Sequence, residues 1–161
     1  MPPDLVSPPA RTDETERLIS HILTRYHQTH REDFPAAITL ARQVERDHAS
    51  NGLCPAGVAD HLAAMFDHLE SHQQREERIL FPTLLAGGCA AARFPIMRMM
   101  AEHEDVEGEL AVLADLSFGG VAPDDASEAW RELYRLCAKL RDDLCEHMRL
   151  ENEELFAPYL S

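Results

Sequence analysis

The sequence predicts an all-α fold, an up-down antiparallel four-helix bundle, and three observations carry that expectation. Four stretches place apolar residues at alternating spacings of four and three, the period of a helix that buries one seam. Glycine and proline clusters separate these stretches. No stretch alternates apolar and polar residues as a half-buried strand would.

The first stretch carries Leu23, His27, His30, Phe34, Ala37, Ala41, Val44 and His48 on its seam. Pro35 lies inside it and either kinks one long helix or starts a second. Ser50-Asn51-Gly52 ends the pattern, and Pro55 can open the next helix. The second stretch reads Val58, Leu62, Met65, Leu69, His72, Glu76 and Ile79, with Pro82 and Gly87-Gly88 as its stop. The third, from about Ala92, carries Ile96, Met100, His103, Val106, Leu110 and Leu113. Gly119-Gly120 and Pro123-Asp124-Asp125 form the turn to the fourth, which carries Trp130, Leu133, Cys137, Leu140, Leu144, His147, Glu151 and Leu155. Residues 1–12 are proline-rich and read as a loose tail, leaving residues 13–161 as one domain.

With 45% hydrophobic residues the 161-residue chain is globular, and a formal charge of −14 argues against nucleic acid and anionic membrane surfaces. No apolar run approaches the ~20 residues of a membrane span, and the start shows neither a basic nor an apolar leader region. Cys54, Cys89, Cys137 and Cys145 show no CxxC spacing, which fits reduced thiols and a cytoplasmic location.

The seams contain polar residues where leucine would be expected. His72-x-x-x-Glu76 in ESHQQREERILFP and His147-x-x-x-Glu151 in CEHMRLENEELFAP are two copies of one pattern: histidine, carboxylate one turn later, acidic cluster, apolar pair, proline. Residues four apart share a helix face. A carboxylate on a seam is costly to desolvate unless a partner meets it. In an antiparallel bundle, residues at one level are equidistant from the connecting loop. The His72/Glu76 pair and His103 both lie about 21–23 Å from the loop near Gly88, at 1.5 Å per residue. The same reckoning brings His27 (with His30 as a candidate) and His147 to that level. His48 lies roughly 31 Å along its helix from His27 and reads as a helix-end or polar-network residue. His30 reads as a residue behind the ligands or at an access route, and His21, His61 and His68 as solvated or partly buried. Met97, Met99 and Met100 read as core filler and Trp130 as a packing anchor near the bundle end.

Four histidines and two glutamates in one apolar layer suit a pair of metal ions of the Fe, Mn or Zn type, since one tetrahedral zinc would need only four ligands. The ligand set is His27, His72, Glu76, His103, His147 and Glu151, with the two glutamates placed to bridge.

RYHQTHREDFP, VERDH, HQQREERILFP, PIMRMMAEHEDVEGEL, WRELY and LCEHMRLENEELFAP resemble the hemerythrin-like domain of the Repair of Iron Centers family over residues 17–158. The resemblance implies a hemerythrin-like bundle with two iron ions per chain on the same six residues, carboxylate-bridged and, when oxidised, oxo- or hydroxo-bridged. It implies a role in the nitrosative and oxidative stress response: binding or reducing nitric oxide, or supporting repair of damaged iron–sulfur centres in a client protein. It also places Glu102 near an access channel. Full-length members carry an amino-terminal cysteine-containing domain, and here a short proline-rich stretch precedes the bundle. His68 stands where relatives often have glutamate. An alternative from the same resemblance is a carrier or sensor of dioxygen or nitric oxide, or an iron donor, without turnover. Glu107, where hemerythrin-like carriers would have a fifth histidine, weighs against dioxygen carriage.

Overall fold

A computed structural model describes residues 10–88 and 90–161. Residues 1–9 of the expected tail and Cys89 lie outside the described residues. Helix begins at Ala10, within the stretch expected to be a loose tail.

Four helices follow one another. Helix α1 runs through Ala10–His21, a π-helical segment Ile22–His27, and Gln28–Asp47. Helix α2 comprises Val58–Arg75, a π-helical segment Glu76–Leu80, and Phe81–Leu85. Helix α3 opens with a 3₁₀ turn Ala90–Ala92 and continues as Arg93–Leu116. Helix α4 comprises Glu128–Arg149, a π-helical segment Leu150–Phe156, and a 3₁₀ turn Ala157–Tyr159. No strand occurs among the described residues. Helix α1 packs against α2 and α4, and α2 also packs against α3. The expected bundle is the observed one, and α1 is continuous through Pro35.

Two turns were less legible. Pro55 does not open α2, which begins at Val58 behind Gly57 at φ 92°, a left-handed conformation that glycine adopts without strain. The exposed amides there are met from the neighbouring helix: the Glu45 carboxylate accepts from the backbone N–H of Gly57 and of Ala59. Pro82 does not end α2 either, which continues to Leu85. A proline inside a helix lacks a donor and crowds the carbonyl four residues back. In α2 and α4 it stands two residues beyond a widened π-helical stretch, Pro82 after Glu76–Leu80 and Pro158 after Leu150–Phe156.

The π segments also explain where the seams of α1 and α2 depart from expectation. One extra residue per turn shifts the inward face by one position. After Glu76 the buried residue is Leu80, whereas Ile79 is 59% exposed. In α1 the buried residues are Ile22 and Tyr26, and Leu23 is only partly covered. On α3 the seam takes Met99, with Met100 half-buried and Met97 on the outer face. The α4 seam is buried as expected from Trp130 to Leu155.

Two apolar clusters result. One gathers Phe34, Val44, Leu62, Met65, Trp130, Leu133 and Leu140 towards the α1–α2 turn. The other gathers Ile19, Ile22, Leu80, Phe81, Ile96, Leu155 and Phe156 at the opposite end. His48 sits at the first end, closing α1, with Nε2 2.9 Å from the Ser127 hydroxyl that caps α4 and its ring against Trp130. That is the helix-end role expected of it.

The shifted register has a direct test. Leu80→Ala is expected to destabilise the metal-free protein by about 2–5 kcal/mol and Ile79→Ala by no more than about 0.5 kcal/mol, read from denaturant unfolding; the reverse order would refute the shift.

Candidate metal centre

The polar layer lies between the two apolar clusters and is made of the six residues that the seams singled out. His27, His72, Glu76, His103, His147 and Glu151 are all buried, both glutamates completely. Three of the four helices deliver them through their π-helical segments: His27 ends the first, Glu76 opens the second and Glu151 lies in the third. Interruptions of this kind re-aim side chains and recur at functional positions.

The ligand atoms fall into two groups, His27, Glu76, His147 and Glu151, and His72, Glu76, His103 and Glu151, each with its atoms within 4.8 Å of one another. Both glutamates belong to both groups. The Glu76 carboxylate turns Oε2 to His27 Nε2 at 3.2 Å and Oε1 to His72 Nε2 at 3.0 Å. The Glu151 carboxylate turns Oε1 to His147 Nε2 at 2.7 Å and Oε2 to His103 Nε2 at 3.0 Å. Each carboxylate therefore offers one oxygen to each position. His72 Nε2 and His103 Nε2 face each other at 3.3 Å.

These atoms fit a cation better than they fit one another. His27 Nε2, both Glu76 oxygens and Glu151 Oε2 are buried without a hydrogen-bond partner, although they stand close to neighbours in the layer. Buried polar atoms are rarely left so, and converging lone pairs are what a metal ion satisfies. Imidazole with carboxylate suits iron, manganese or zinc.

The outer nitrogen of each histidine is held from behind, which turns Nε2 inward as the atom that takes either a proton or a cation. His27 Nδ1–H donates to Glu77 Oε1 at 2.9 Å, and Glu77 is held in turn by Arg31. His72 Nδ1–H donates to Glu102 Oε2 at 2.8 Å, and Glu102 is held by Arg75. His103 Nδ1–H donates to Asn152 Oδ1 at 2.7 Å. His147 Nδ1–H donates to His30 Nε2 at 3.1 Å. Each position thus contains one histidine backed by a carboxylate and one backed by a neutral group. Phe81 stacks on His27 at 5.7 Å and Phe156 on His103 at 6.3 Å.

His30 is in neither group, which places it behind His147 as expected. Burial, reinforced by repulsion from His147 and His27, pushes it down to about 2, so it is a neutral imidazole able to accept. His48 is remote at the bundle end. His61 and His68 lie on the α2–α3 face, His61 against the Glu109 carbonyl and His68 against the Glu109 carboxylate. The residues that sequence reading missed are the supporting ones: Glu77, Asn152 and the arginines. Glu77 and Asn152 share a detectable signal, since each directly follows the glutamate of its repeat. Gln73, fully buried with its amide unpartnered, had no signal.

The model of the hemerythrin HHE cation binding domain matches residues 18–159. Proteins described as iron-sulfur cluster repair protein YtfE are 41% identical over 139 residues, among them those of Pectobacterium carotovorum subsp. carotovorum, Dickeya chrysanthemi and Yersinia pseudotuberculosis. Each alignment covers 86% of this chain and 63% of the relative, so the chain spans less than two thirds of the curated proteins it matches.

Metal and protons compete for the same nitrogens. Burial lowers the affinity of His27 for a proton, but Glu151 and Glu76 more than reverse this and raise it to about 10. His72 is likewise raised to about 9, against its burial, chiefly by Glu76. Both are protonated at neutral pH in the metal-free protein. Loading at pH 7 is therefore expected to release about two protons per chain, measurable with a pH indicator, and to tighten as pH rises towards 10. The raised values also stabilise the metal-free fold. That contribution is complete below about 6.5, the ordinary histidine value, and is lost as pH climbs through 9 to 10. Thermal unfolding of the metal-free protein across this window checks the sign.

Proposed function

The chain belongs to the hemerythrin HHE cation-binding family, and from that membership we propose that it is a non-haem di-iron protein of the nitrosative and oxidative stress response, supporting repair of iron–sulfur centres. The observation that carries the proposal is the pair of four-residue groups sharing both glutamates. In this reading His27 and His147 would hold one iron and His72 and His103 the other, with Glu76 and Glu151 offering one oxygen to each position. The similarity to proteins described as iron–sulfur cluster repair proteins supports the biological setting.

Iron held by these residues would supply redox equivalents and could bind diatomic ligands such as nitric oxide and dioxygen. The chain's own residues prepare the place. Glu77 and Glu102 fix the ring orientation and raise the basicity of His27 and His72. The two apolar clusters exclude water above and below the layer. Glu76 and Glu151 carry two negative charges where dication pairs would otherwise repel through a low dielectric. In this proposal the protein works in the cytoplasm on a client iron–sulfur protein. Among the described residues no helix is long and apolar enough to cross a membrane.

Anaerobic reconstitution is expected to load two iron ions per chain. Glu76→Leu and Glu151→Leu are each expected to abolish binding of the pair while the metal-free protein still folds, because leucine suits a seam; the loss of a partner for the buried imidazoles is expected to lower its stability at neutral pH. Iron analysis alongside thermal unfolding reads both. Unchanged iron content in these variants would remove the basis of the proposal. Mixing the diferrous protein with nitric oxide in a single turnover then separates reduction from binding: nitrous oxide release identifies a reductase, and its absence identifies a carrier, sensor or iron donor.

A further inference from the structure

The two helical hairpins, α1–α2 and α3–α4, contribute alike: a histidine from the first helix and an HxxxE from the second. Equivalent positions in the hairpins can therefore be compared. The residue after the histidine of the repeat is Gln73 in α2 and Met148 in α4. Both are buried, Gln73 completely. Methionine meets the packing of this place in one hairpin, so the fold alone does not call for a polar side chain in the other.

The Gln73 amide has no protein partner on either its nitrogen or its oxygen. Buried amides left so are rare and costly. The residues around it fix where it lies. Glu70, three residues before, and Glu77, four after, share its face of α2, and both meet Arg31 of α1. Gln73 therefore faces α1 at the level of Arg31. Glu77 also holds His27. His72 turns the other way, to Glu102 and His103 on α3. Gln73 thus goes with the position of His27 and His147.

His30 precedes Arg31 at that level. Its Nε2 accepts from His147, which leaves the proton of the neutral ring on Nδ1. That buried nitrogen is unpartnered as well. Two side chains, one from α1 and one from α2, therefore bring N–H donors to one level of the bundle, and no protein acceptor meets either. Donors held in a low dielectric without an acceptor favour an electron-rich guest.

We propose that Gln73 is the ligand-recognising residue of the centre: its amide N–H donates to a small anion, or to the negative end of a diatomic molecule, taken up beside His27 and His147. The inference rests on the di-iron reading given above. It assigns the incoming ligand to one of the two positions and favours ligands that carry negative charge over neutral ones.

The test uses the full chain reconstituted with iron, oxidised to the ferric state and titrated with azide. Charge-transfer absorption gives the affinity, and infrared spectra in H2O and D2O give the azide stretch. The stretch is expected to shift on deuteration, as a hydrogen bond from an exchangeable N–H requires. Gln73→Met, the side chain that the other hairpin carries, is expected to retain both ions and to leave the melting temperature of the metal-free protein no lower. It is expected to weaken azide binding about tenfold or more and to abolish the isotope shift; Gln73→Leu serves if the methionine variant does not fold. Unchanged affinity, weakened affinity with the shift retained, or no azide binding by the loaded parent overturns the inference and leaves the di-iron reading standing. Saturation below two ions per chain overturns both.

Discussion

Two carboxylates with no access to solvent set the terms for the rest of this molecule. Glu76 and Glu151 lie at the centre of a bundle whose other seam positions are apolar. Each ion would cost several kcal/mol to bury without compensation. In the metal-free protein the compensation is protonated imidazole. Glu151 is held well below the ordinary carboxylate range, against full burial, by His147, His103 and His27. A bound cation would take the place of the protons. The layer is therefore charged in either state, and the fold must hold its members at fixed distance while their partners change. The two apolar clusters on either side do so without sharing in the chemistry.

Outside the layer a ring of ion pairs continues the same logic. Glu77 and Glu102 take the outer nitrogens of His27 and His72, and Arg31 and Arg75 take the carboxylates. Arg31 also reaches Glu70, tying α1 to α2 at the level of the site. Across the other interface, Arg25 and Lys139 hold Asp143, joining α1 to α4 beside His147. Pairs of this type at a surface contribute little to stability. Their value here is orientation, because a ring free to rotate would present the wrong nitrogen.

Much of this was legible in the amino-acid order. Histidine and glutamate at positions reserved for leucine identified the layer, and distances to the turns brought His27 and His103 to the level of the repeats. The π-helical segments were not legible. A window of four-three spacing assumes a constant period, so it placed Ile79 and Leu23 inward where the widened turn buries Leu80 and Ile22. The prolines misled for a related reason. Pro82 reads as a stop under regular α-helical geometry, and the widened turn before it lets the helix continue. The supporting shell stayed hidden because a surface Glu77 and a clamping Glu77 look the same until the neighbouring helix is in place.

The near-repetition of the hairpins bears on how such a site can change. Each metal position takes one histidine from each hairpin, so neither hairpin owns a complete site. The molecule has the geometry of a two-fold homodimer written into one polypeptide. A true homodimer must keep both positions identical, since every substitution appears twice. A single chain is released from that rule. Tyr26 and Glu102 occupy matching places yet differ, one stacked on His147 and the other hydrogen-bonded to His72, a divergence that covalent continuity between the halves permits.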